Sequence, residues 1–172
     1  MLHAVIFVIF PFCMVFAAVS DLLSMTIANR VSLILVATFA AAAPLTGMDW
    51  TAYAWHWAAG LGMLAVTFTL FAVGGMGGGD AKLIAATALW MGAGVELMQY
   101  LVTGAMIGGA LTLALMAFRG SPVALLAGTS PRLRHLADDK AGIPYGAALG
   151  AAGLITFPDT ALMVWARATL VF

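Results

Sequence analysis

Apolar residues run through this chain in long unbroken stretches, and charges sit almost only in the breaks between them. That pattern decides the fold class before any motif is considered. Backbone exposed to lipid must satisfy its own hydrogen bonds, which leaves helices or closed barrels. The runs are continuous rather than alternating, so a barrel is excluded. Only 8% of the 172 residues are charged, against about 25% in a soluble domain. Such a chain cannot cover a water-facing surface. The expected class is all-α, a polytopic membrane protein with about six transmembrane helices in a single membrane-embedded domain over residues 1–172.

The runs are Leu2 to about Val19, Val31 to about Leu45, Trp50 to about Val73, Ala81 to about Met91, Val95 to Phe118, and Ile143 to about Phe157. The first stops at Ser20-Asp21 and lacks the basic start of a signal peptide, so it reads as a retained helix. Pro44, Gly47 and Asp49 mark a turn. Trp50, Tyr53, Trp55 and Trp57 resemble an interfacial aromatic belt. The fourth run is short and follows Gly74-Gly75-Met76-Gly77-Gly78-Gly79-Asp80. Gly104, Gly108 and Gly109 in the fifth permit close helix packing. Residues 119–142 form a polar loop. The tail after Pro158-Asp159 either lies at the interface or extends the last span.

With six spans, the loops after the first, third and fifth share one side. They carry Arg30, Lys82, Arg119, Arg132, Arg134 and Lys140, and only Arg167 falls opposite. The positive-inside rule makes that side cytoplasmic and puts both termini outside. Asp21 and Asp80 then lie on the cytoplasmic side, and Asp49, Glu96 and Asp159 outside. A net charge of zero argues against a nucleic-acid partner. The one cysteine, Cys13, makes neither a disulfide nor a zinc knuckle and reads as a small buried residue.

Asp21 and Asp80 are the candidate catalytic pair. An acid at membrane depth is expensive and is a functional hypothesis by default. Position alone leaves a second reading open: a solvated juxtamembrane carboxylate, or for Asp80 a helix N-cap. Gly77, Gly78 and Gly79 before Asp80 let the backbone bend and approach another chain closely. Two carboxyls brought together share a proton, because like charges about 3 Å apart cannot both ionise. One then activates a water and the other protonates the scissile carbonyl. His3, His56 and His135 are scattered, no His-Glu-x-x-His is present, and no serine sits in a nucleophile elbow. No metal and no cofactor are expected.

At these residues the chain resembles the type IV prepilin peptidases, membrane aspartic peptidases of the Gly-x-Gly-Asp class. The resemblance rests on Ser20-Asp21, Thr26-Ile27-Ala28-Asn29-Arg30, Gly77-Gly78-Gly79-Asp80-Ala81-Lys82-Leu83 and Ile143-Pro144-Tyr145-Gly146. It implies that Asp21 and Asp80 are catalytic, with Gly77, Gly79 and Lys82 as motif or substrate-access residues. It implies cleavage of a short basic leader from prepilins at the cytoplasmic face of a bacterial inner membrane. The chain has Ile27-Ala28-Asn29 where relatives often carry Ile-Pro-Asn. It lacks the paired Cys-x-x-Cys methyltransferase region of the larger members, and so looks like the compact tight-adherence (Flp pilus) branch. Lys82 reads equally as an interfacial anchor, its stem in the bilayer and its ammonium at the headgroups. Asp138 and Asp139 could attract a basic leader, although their mixed-charge loop reads first as a topology signal. Two rival readings remain. A proton- or cation-coupled carrier would use the same acids, but would be expected to show paired broken helices. A non-catalytic membrane assembly subunit explains the hydrophobicity but not the two acids at one depth.

Overall fold

A computed structural model of the chain describes residues 1–124, 129, 134–138 and 141–170. Among these every regular element is helical. The helices are α1 (Leu2–Ser24), α2 (Asn29–Leu45), α3 (Trp50–Ala72), α4 (Gly78–Met91), α5 (Val95–Arg119), α6 (Arg134–Ala137), α7 (Tyr145–Thr156) and α8 (Ala161–Ala168). A 3₁₀ turn, Phe157–Asp159, joins the last two.

Three helices, α1, α3 and α5, are each long and apolar enough to cross a bilayer. α7 and α8 make a fourth crossing if they count as one span, bent by 46°. α2 has 17 residues and α4 has 14, short of the about 20 that a straight crossing takes. The outward faces of α3 and α5 carry exposed Leu61, Phe68, Phe71, Met106, Leu113 and Met116, as lipid contact requires. The chain is a membrane protein.

α4 is the centre of the bundle. From Ala81 to Met91 each of its residues is buried except Lys82. α3 packs along one side of it and α2 along another, while α7 lies between α1 and α5. Ala81, Ala85, Ala86 and Ala88 keep the helix thin enough for this enclosure. Its polar groups are met from neighbouring helices. The Thr67 hydroxyl donates to the Ala81 carbonyl at 3.2 Å, and Trp90 Nε1 donates to the Leu35 carbonyl at 3.1 Å. His56 Nδ1 donates to the Leu89 carbonyl at 2.7 Å, serving one of the last four carbonyls that a helix leaves open. The half of the core away from Asp80 is aromatic. Phe10 stacks on Phe157 with centroids 4.5 Å apart, and Trp90 lies 5.0 Å from Phe10 and 6.0 Å from Phe39.

α1 runs further than its apolar run suggests, past Ser20-Asp21 to Ser24. The Ser24 hydroxyl donates to the Ser20 carbonyl, so polar residues there continue the helix. The buried positions of α1 are Ile6, Phe10, Cys13, Met14, Ala17 and Asp21, spaced as one helical face. Asp21 therefore belongs to the inner face. Gly104 and Gly108 do face a neighbour closely, α7, whereas Gly109 has open space beside it. Asp49 caps α3 by accepting from the Thr51 N–H at 2.9 Å, which confirms the turn read there. α8 folds back on the start of α1, with Trp165 stacked on His3. Of the 119–142 loop, Arg119 holds the Leu136 and Gly142 carbonyls at 3.0 and 2.9 Å. Arg132, Asp139 and Lys140 lie outside the described residues.

The α1–α7 contact sets a test of packing. A Cβ at Gly150 would lie 2.6 Å from the Met14 carbonyl oxygen, which cannot move without its helix. One at Gly153 would lie 2.6 Å from the Met14 sulfur, on a flexible side chain. Helix propensity favours alanine over glycine by about 1 kcal/mol at both positions. Gly150→Ala should nonetheless destabilise by about 1–3 kcal/mol through overpacking. Gly153→Ala should be near neutral. Thermal unfolding in detergent distinguishes them, and equal shifts would contradict this contact.

Candidate active site

Asp21 stands in the last turn of α1, turned inward and 6% exposed. Its Oδ2 accepts the Gly146 N–H at 2.7 Å. Gly146 is in the first turn of α7, where N–H groups lack partners within their own helix. The carboxylate fills that place, and the positive end of the helix dipole favours its charge. This bond joins residues 125 positions apart and ties the end of α1 to the start of α7.

Gly146 must be glycine for this contact to exist. A Cβ there would lie 2.9 Å from both Cβ and Oδ2 of Asp21, and 2.6 Å from Cδ1 of Ile27.

Asp80 lies in the first turn of α4, which begins at Gly78 with Gly77 as its N-cap residue. It is thus inside the helix rather than its cap, again at a positive helix end. Its Oδ2 folds back to 2.9 Å from where a Cβ of Gly77 would stand. A side chain at 77 would push the carboxyl away. Gly79 does different work. A Cβ there would meet Cβ of Ile27 at 3.2 Å, so its absence lets α4 approach the α1–α2 connection.

The two carboxyls, from α1 and α4, line one cavity of about 600 Å³, with Met25, Gly77, Leu101, Tyr145 and Leu149 among its walls. A smaller one of about 220 Å³ adjoins it, lined again by Asp21, Met25, Gly77 and Asp80 with Thr26 and Ile27. Two carboxyls lining one cavity are a group set suited to acid–base chemistry on a bound molecule.

Lys82 lines neither cavity. Its Nζ donates to Asn29 Oδ1 at 2.9 Å, on the opposite side of α4. That bond links two of the sequence motifs, Thr26-to-Arg30 and Gly77-to-Leu83. His135 in α6 bonds the Leu22 carbonyl at 2.9 Å, one residue from Asp21. Asp138 is exposed. Among the described residues no group of three or more His, Cys, Asp or Glu could hold a metal ion.

Reading the sequence gave no separate role to two residues that shape the site. Gly146 appeared only within a motif. Pro144, two positions earlier, reads in the sequence as part of a first helical turn, and in the structure it is the N-cap residue of α7, so the free N–H donors beside it were implied by that start. Met25 ends α1 at φ 53°, a left-handed conformation that is uncommon outside glycine, and lines both cavities. No sequence signal marks a methionine for that conformation. The Ser20 hydroxyl, donating to the Thr26 carbonyl at 2.7 Å, helps to hold it.

Comparison with known proteins places this geometry in context. The model of the type IV leader peptidase family matches residues 8–116. That stretch contains both Asp21 and Asp80 and ends before Gly146. No curated protein and no solved structure matches the chain.

The left-handed residue can be tested by substitution. Met25→Gly removes a steric cost of about 1–2 kcal/mol but makes the unfolded chain freer, so stability should change by less than about 1 kcal/mol. Met25→Val puts a β-branched side chain where it is most strained, and should cost more than about 1 kcal/mol. Thermal unfolding of both variants checks the backbone assignment.

Proposed function

We propose that this chain, which belongs to the type IV leader peptidase family, is a membrane aspartic endopeptidase that removes the short leader of prepilins. The observation that carries the reading is the pair of carboxyls, Asp21 and Asp80, on one cavity and each at the positive end of a helix. In the reaction, the ionised member of the pair takes a proton from a water. The hydroxide adds to the scissile carbonyl carbon while the protonated member gives its proton to the carbonyl oxygen. Collapse of the tetrahedral intermediate breaks the C–N bond: the leaving amine takes the proton that came from the water, and one hydroxyl of the intermediate returns its proton to the other carboxylate, which restores the singly protonated pair. Within residues 1–172 we read one peptidase domain. The substrate is a Flp-type prepilin or pseudopilin.

We infer a six-pass arrangement, with α2, α4 and the α7–α8 pair completing the three longer helices. The dyad then faces the cytoplasm of a bacterial inner membrane and both termini face outward. The clustering of basic residues supports this orientation. A basic leader would remain in the cytoplasm while the apolar stem of the substrate lies in the bilayer. Gly77 leaves room for the Asp80 carboxyl and Gly79 lets α4 close on the α1–α2 connection, which supports a role for both in shaping the site. Lys82 serves as an anchor at the membrane surface.

A carrier reading has one feature in its favour. A second cavity, about 700 Å³ and lined by His56, Glu96 and Asp159, lies at the other end of α4. The aromatic core of Phe10, Phe39, Trp90 and Phe157 fills the space between the two ends, which favours the peptidase.

Co-expression with a candidate prepilin and mass analysis of its N-terminus tests the reading. Asp21→Asn and Asp80→Asn should each reduce processing by about 100-fold or more while leaving the protein in the membrane, since asparagine cannot act as acid or base. Lys82→Ala should reduce it far less. Full processing by either Asn variant at normal expression would refute the dyad.

Orientation is tested separately in a Cys13→Ser background. A cysteine at Ser121 or Ala137 should react with an impermeant thiol reagent only once the cytoplasmic face is opened. One at Thr46 should react from outside in intact cells. The reverse pattern would put the dyad on the wrong side for an unprocessed leader.

A further inference from the structure

Across α4 from the carboxyl cavity lies an apolar cleft. α2 and α3 each pack on α4 but scarcely on each other, leaving between them a space of about 450 Å³. Its floor is Ala85, Ala86 and Leu89 of α4, with Val36 of α2 and Leu64 of α3 on its sides. The exposure of Leu64 shows that it opens toward the surroundings of the bundle. From Lys82 to Leu89 it follows α4 for ~10 Å at helical rise.

One end of this apolar slot is polar and cationic. Asn29, Ser32 and Lys82 meet there. Lys82 is exposed and donates to Asn29 Oδ1, and among the described residues no carboxylate pairs with it. An ammonium group has three donors, so two remain for another partner. Asp80, two positions earlier, lines the cavity on the other side of the helix. The slot thus combines an apolar lining, an opening beside a lipid-facing surface and, at one mouth, a cation that among the described residues has no carboxylate partner.

We propose that this cleft binds a glycerophospholipid with an anionic headgroup. An acyl chain lies against Ala85, Ala86 and Leu89, and a phosphate oxygen accepts from Lys82 Nζ and the Ser32 hydroxyl. The lipid reinforces α2 and α3 where they do not support each other. It sits behind the helix that carries Asp80, so the site needs no peptidase chemistry. Asp80→Asn should bind the lipid as the unaltered chain does.

The full chain, purified in detergent and stripped of lipid, is titrated with dioleoyl phosphatidylglycerol and separately with dioleoyl phosphatidylcholine. Binding is followed by native mass spectrometry. The anionic lipid should bind more tightly. Lys82→Gln should weaken it about fivefold, the worth of one basic residue facing anionic lipid, and leave phosphatidylcholine unchanged. Leu64→Trp, which fills the cleft, should weaken both. Equal binding of the two lipids, or an unaltered preference in Lys82→Gln, would overturn the proposal. If Leu64→Trp does not fold, the ratio of the two lipids in the unaltered chain and in Lys82→Gln decides alone. A photo-crosslinker at Leu33, on the cleft wall, should capture lipid. Capture of the apolar stem of a prepilin there instead would assign the cleft to substrate and overturn the lipid site.

Discussion

Lipid offers no hydrogen bonds, so each polar group at membrane depth needs a partner inside the protein. The arrangement around α4 follows from that constraint. A helix of 14 residues ends within the bundle, and its open carbonyls and first-turn N–H groups must be dealt with there. His56 serves the Leu89 carbonyl, and Gly92, at φ 75°, turns the chain away beneath the His56 ring. Trp90 reaches across to α2. The same need arises at the start of α7, where Asp21 meets it by accepting from Gly146. A carboxylate performs in this fold a task that a backbone carbonyl performs in a longer helix.

The site grows out of that economy. Asp80 lies in the first turn of α4, and Asp21, from the last turn of α1, lies against the start of α7; at such N-terminal ends the dipole and free N–H groups favour negative charge. A helix start also breaks the close packing, which leaves room for a cavity. Glycine makes the approach possible at three walls: Gly146 against Asp21, Gly77 against the Asp80 carboxyl, and Gly79 against Ile27. The strained turn at Met25 completes the rim. On the other side of α4, Lys82 and Asn29 tie the two motif segments together, so that the acidic cavity and the basic mouth of the cleft are two faces of one short helix.

Some of this was legible in the residues. Asp21 falls in register with Ile6, Phe10, Met14 and Ala17, and that spacing already puts it on the inner face of α1. The glycine run before Asp80 signalled an unusual backbone, and the pairing of two acids at one depth suggested their chemistry. Other features were not legible. The apolar run ends at Val19 although the helix continues to Ser24, because hydropathy records solvent preference and not hydrogen bonding. Lys82 sits beside Asp80 in sequence but faces away from it, because residues two apart on a helix point to nearly opposite sides.

The residues by themselves determined the class of the protein: helical, membrane-embedded, with acids at the ends of apolar elements. Composition and periodicity suffice there, since the cost of burying an unpaired backbone or charge does not depend on which helix lies next to which. Which partners meet was decided only in three dimensions. The Gly146 N–H that holds Asp21 is 125 positions away, and Asn29 lies 53 positions from the Lys82 it holds. Contacts of that range depend on the order in which helices pack and on the few places where a missing Cβ lets two backbones close. Local pattern carries no record of either.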